Sequence, residues 1–83
     1  MGTMLEKDFN YSEGQWAGHQ MARNIEQTVY GTLEEAIKVK AELISKFEED
    51  FGYSREDKEF PDRNYTYNLG ILDKLKEIHE SEK

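Results

Sequence analysis

At 83 residues, with a net charge of −7, a mean hydropathy of −0.94 and no cysteine, the chain is sized for one small domain that no disulfide or thiolate zinc site can reinforce. Its 18 acids and 11 bases are spread along the sequence, which disfavours direct binding to a phosphate backbone and points to a basic partner. One Trp, five Tyr and four Phe argue for a folded chain, frayed at 1–10 and 81–83, over a disordered one.

The opening stretch MGTMLEKDF lacks the basic and then apolar layout of a secretory signal. No apolar run approaches the ~18 residues that a bilayer span requires, so no membrane partner and a cytoplasmic location are expected. Gly2 fits a myristoylation motif poorly, because Glu6 stands where Ser or Thr is required.

The first element falls in YSEGQWAGHQMARNIEQTVYG. Ser12 followed by Gln15 forms a weak capping box, and Ala17, Met21, Ile25 and Val29 recur at four-residue steps, which predicts a helix over roughly 13–30. A competing pattern is open at its end: Ile25, Gln27 and Val29 alternate with Glu26, Thr28 and Tyr30, as in a short strand at about 25–30.

The second element is the clearest. Thr32 and Glu35 make a capping box, and Leu33, Ala36, Ile37, Leu43, Ile44, Phe47 and Phe51 share one helical face. Gly52 supplies the left-handed residue that ends such a helix. Beyond it, YSREDKEFPDRN is a connector, which Pro61 keeps out of helix. A third helix then starts near Asp62 or Asn64, with Tyr65, Leu69, Leu72, Leu75 and His79 in a stripe flanked by Ile71 and Ile78.

These elements predict an all-α fold, a small three-helix bundle or a helical hairpin plus a third helix, with α+β as the alternative if 25–30 is a strand. Two stretches, YSEGQW and YNLGIL, both read Tyr-x-x-Gly near a helix start, and Gly14, Gly18 and Gly70 would let neighbouring backbones approach closely.

Chemistry is scarce. There is no Gly-x-Ser-x-Gly elbow, no Glu-x-x-His or His-x-x-x-His pair for a metal, and no Gly-rich phosphate loop, so neither an enzyme nor a cofactor is expected. The remaining signal is a surface one. Glu48, Glu49 and Asp50 occupy the last turn of the second helix, where the dipole prefers cations, next to aromatic residues that cannot all be core. The partner-binding set expected on this basis is Glu48, Glu49, Asp50 and Tyr53, then Glu56, Asp57, Glu59 and Phe60 from the connector, and Tyr65 and Tyr67 from the third helix.

The expected function is a non-enzymatic protein-interaction module. In size, acidity and lack of cysteine the chain resembles phage or mobile-element accessory proteins, including inhibitors of host nucleic-acid enzymes. The resemblance implies occlusion of a nucleic-acid site on a basic host protein. Two alternatives stand beside it: a self-associating helical module that forms a homo-oligomer, and a small-ligand site between helices in which tyrosines and Arg23 or Arg55 supply the polar contacts.

Overall fold

Thr32 opens the central hairpin as its capping box predicts. Its hydroxyl oxygen accepts the Glu35 backbone N–H at 3.2 Å, while Gly52, in the left-handed conformation at φ 70°, closes the helix by donating its N–H to the Glu48 carbonyl at 2.9 Å. In the computed structural model, which describes residues 6–56 and 62–81, three helices follow one another: α1 (Glu6–Arg23), α2 (Leu33–Phe51) and α3 (Arg63–Ser81). The fold is all-α, and no strand occurs among the described residues.

Of the two residues expected to cap α3, Asp62 does so. Its Oδ1 accepts the backbone N–H of Asn64 at 2.7 Å and of Tyr65 at 3.4 Å. The helix that follows is the core of the molecule. Tyr65, Leu69 and Leu72 cluster with Ile44 of α2, while Ile71 and Leu75 cluster with Ala36 and with the half-buried Ala17 and Met21 of α1. α3 is therefore flanked by the other two helices, and the molecule is flattened to 36 × 34 × 21 Å.

The pairings give the helix directions. Glu48 meets Tyr65, Lys40 meets Asn68 and Ala36 meets Leu75, so α2 runs antiparallel to α3. Gly14 lies against Tyr67 and Gly70, and Gly18 lies against Ile71 and Lys74, so α1 runs parallel to α3.

α1 differs from the sequence expectation at both ends. It begins at Glu6 instead of near 13, leaving Ser12 exposed in mid-helix with no capping role, and Asn10 is 3% exposed. It also stops at Arg23. Ile25–Gln27 form a single 3-10 turn, neither helix nor strand, and Val29 is 95% exposed. The reason is Thr28, whose hydroxyl donates to the Ile25 carbonyl at 2.7 Å and accepts the N–H groups of Tyr30 and Gly31 at 3.2 and 3.4 Å. Those bonds turn the backbone toward the α2 cap. α3 continues to Ser81. The Pro61 break lies outside the described residues.

Candidate interaction surface

At the C-terminal end of α2, four rings share one cluster. Phe47 contacts Phe51, Tyr53 and Tyr65 at centroid distances of 6.0, 6.3 and 6.0 Å, and Tyr53 stacks on Phe51 at 5.3 Å. Burial falls across the cluster. Tyr65 is 1% exposed, Phe47 and Tyr53 are half-buried, and Phe51 is 62% exposed. Because α3 starts at Arg63 and its first turn lies level with Glu48, the last turn of α2 overruns it, and Phe51 has no helix to pack against among the described residues.

The acids beside these rings divide in the same way. Glu48, half-buried, accepts the Tyr65 hydroxyl at 2.7 Å. Glu49 and Asp50 are exposed and make no ion pair among the described residues. Asp50 joins Leu43, Lys46, Phe47 and Phe51 around a shallow recess of about 150 Å³.

The connector is fixed to the bundle by a second polar cluster. Arg55 donates both terminal nitrogens to Asp73, at 2.7 and 3.0 Å, and the Tyr11 hydroxyl donates to the same carboxylate. Burial pushes the Asp73 carboxyl up, but the Arg55 fork and then the Tyr11 hydroxyl outweigh it and hold Asp73 below its ordinary value. Tyr11 is pushed up to about 12, by burial first and then by Asp73. Arg55, considered above as a ligand contact, is thus committed to α3, whereas Arg23 is exposed at the end of α1.

The residues expected to bind a partner do not form one face. Asp50 and Tyr53 adjoin Phe51, which sequence periodicity had assigned to the core, whereas Glu49, two positions before Phe51 on the helix, lies about 200° around α2 from it. Tyr65 is sealed inside, 1% exposed, and its hydroxyl donates to Glu48. Glu56 is exposed and its N–H donates to the Ser54 hydroxyl at 3.2 Å. Asp57, Glu59 and Phe60 lie outside the described residues.

Tyr67 belongs elsewhere. Two positions from Tyr65 on a helix, it faces away from α2 and borders an open cleft of about 590 Å³ with Phe9, Ser12, Glu13 and Trp16 of α1. Phe9 and Trp16 are 50% and 68% exposed. Neither Trp16 nor Phe9 is among the residues that the sequence marked for partner binding. The signal was their spacing, since Phe9, Ser12, Glu13 and Trp16 fall at three- and four-residue steps on one face of α1.

Among the described residues no group of three or more His, Cys, Asp or Glu side chains is arranged to hold a metal ion, and no helix is long and apolar enough to cross a membrane. No protein-family profile, curated protein or solved structure matches the chain.

Proposed function

We propose that this chain is a small non-enzymatic interaction module that docks a basic protein through the end of α2, with Phe51 as anchor, Asp50 at its edge and Glu49 adding to the negative potential of the same turn. The observation that carries the reading is the exposure of Phe51, 62%, on a ring cluster whose other members hold it from behind. A ring fixed by neighbouring rings loses little side-chain freedom on binding, which is what a hot-spot residue requires.

Charge supports the same end of the molecule. Three acids at the negative pole of a helix oppose its dipole, by ~0.3–1 kcal/mol each at exposed positions. Glu48 is compensated by the Tyr65 hydroxyl, whereas Glu49 and Asp50 are not. A cationic partner surface would relieve them, and it would associate faster at low ionic strength. The likeness in size and composition to phage or mobile-element inhibitors fits a partner that itself binds nucleic acid, whose site the module would occlude.

The test compares the native chain with a Glu49→Lys, Asp50→Lys, Phe51→Ala variant as bait in extract of the source cells. The reading expects the native bait to retain a basic protein in a salt-sensitive manner and the variant to lose it, with both baits melting within a few degrees of each other. Equal retention by the two overturns it.

A further inference from the structure

The cleft bordered by Phe9, Trp16 and Tyr67 is separate from the α2 end, and its chemistry is different. It continues past Glu13 and Tyr67 into a polar recess of about 450 Å³ lined also by Asn10, Arg63 and Asn64. Among the described residues, the charged groups lining this continuous groove are one acid, Glu13, and one base, Arg63. On a chain of net charge −7 that makes a locally neutral strip with rings at its centre.

Glu13 and Arg63 border the same recess without pairing to each other or to any other described residue. Each is an unspent charge of opposite sign beside exposed apolar surface. A two-fold axis through the groove brings the Glu13 of one copy to the Arg63 of the other and the reverse, because an isologous interface repeats every contact twice. A basic partner would meet Arg63 here, and an acidic one would meet Glu13. A second copy of the chain satisfies both.

With Phe9, Trp16 and Tyr67 at 50%, 68% and 36% exposure, the rings offer roughly 350 Å² per copy, less than half of the ~800 Å² per partner in a standard interface, so they supply its aromatic centre and the polar recess must supply its rim. Among the described residues the buried hydrophobic core is seven side chains, so covering this surface adds appreciably to the apolar area removed from water. We infer that the α1–α3 groove is a homodimer interface, in which Trp16 packs against the ring set of the other copy and Glu13 pairs with its Arg63.

Trp16 is the one tryptophan of the chain, so its emission reads this interface directly. The experiment is sedimentation equilibrium of the full chain from about 1 to about 500 µM with Trp fluorescence over the same series. The expected result is a monomer–dimer equilibrium with emission shifting to the blue as dimer forms. Trp16→Glu should weaken association at least about tenfold with an unchanged melting temperature in the dilute monomer, since the ring is mostly exposed there. Glu13→Arg and Arg63→Glu should each weaken it, and the double variant should restore it.

A monomer throughout overturns the inference. So does a dimer whose Trp16 emission does not move, because that dimer uses another face. Emission already blue and independent of concentration also overturns it, because another part of the chain then covers the groove. The Glu49→Lys, Asp50→Lys, Phe51→Ala variant should dimerise like the native chain, which keeps this result independent of the proposed docking function.

Discussion

Gly14 and Gly70 face each other across the α1–α3 crossing, and each lies under a carbonyl of the opposite helix. A Cβ on Gly14 would fall 2.1 Å from the Tyr67 oxygen, and one on Gly70 would fall 2.3 Å from the Tyr11 oxygen. The two Tyr-x-x-Gly stretches thus pack on one another, each glycine accommodating the tyrosine carbonyl of the other. Gly14→Ala and Gly70→Ala should each be destabilising, although alanine favours an isolated helix by nearly 1 kcal/mol, because backbone cannot yield as a side chain can. The net loss expected is ~2–4 kcal/mol, a fall in Tm of roughly 10–25 °C in thermal denaturation. Gly18→Ala should cost less, since its nearest obstacles, the Lys74 Cβ at 2.9 Å and the Ile71 carbonyl oxygen at 3.0 Å, lie farther off than the 2.1 and 2.3 Å met at the other two glycines. A Gly14→Ala protein that melts at or above the native temperature would rule out this crossing.

Stability should fall at both ends of the pH scale through the Tyr11–Asp73–Arg55 cluster. Asp73 titrates lower in the folded protein than its ordinary 3.8, so its contribution is present at neutral pH and lost as pH drops below about 4 through the folded value. Tyr11, pushed up from 10.0 to about 12, contributes below pH 10 and loses that contribution as pH rises toward 12. Arg55 and Asp73 side chains are 51% and 24% exposed, so solvent screening holds the acid effect to about 1 kcal/mol or less. Melting curves against pH should show Asp73→Asn flattening the acid limb, and Tyr11→Phe flattening the alkaline limb while leaving part of the acid one. An Asp73→Asn profile that parallels the native one below pH 4 would remove the cluster from the account.

The sequence was most legible where a side chain itself carries the structural signal. Thr32, Glu35 and Gly52 bound α2 through capping chemistry, and Asp62 does the same for α3. The start of α1 was misplaced because its earlier contact with α3 runs through Gly14, which does not register in a search for apolar periodicity, whereas Ala17 and Met21, which do register, pack on Ile71 and Leu75 farther along. Its large apolar residues, Phe9 and Trp16, lie on the outer face. The candidate site was half legible for a related reason. Phe47 and Phe51 are one turn apart and look equivalent, but only the level at which α3 begins decides that the second projects into solvent. Likewise Tyr65 and Tyr67 differ by about 200° around α3, so a list of nearby rings merged two separate faces.

Asn10 breaks a local rule. It is 3% exposed and its side-chain nitrogen has no hydrogen-bond partner among the described residues, a deficit of ~1–3 kcal/mol for a buried donor. Asn10→Leu, close in volume, should therefore raise Tm by several degrees in the dilute monomer. A fall in Tm would show that the amide is satisfied in the folded protein.

Glu48 and Glu49 are adjacent acids with different roles, and substitution should separate them. Glu48 accepts the hydroxyl of Tyr65, which is otherwise sealed among Phe47, Ile44, Leu69 and Leu72. Tyr65→Phe removes the donor, Glu48→Gln removes the charge from the acceptor, and a charge-assisted bond in a half-buried setting is worth ~1.5–3 kcal/mol. Denaturant unfolding of a double-mutant cycle should give a coupling energy of about 1 kcal/mol or more between the two, with the double variant no less stable than Tyr65→Phe alone. Glu49→Gln should shift stability by less than ~0.5 kcal/mol, in either direction, because the side chain is exposed and unpaired. Zero coupling between Tyr65 and Glu48 would return Glu48 to the exposed acidic rim, and all three acids of the last turn of α2 would then be open to a partner.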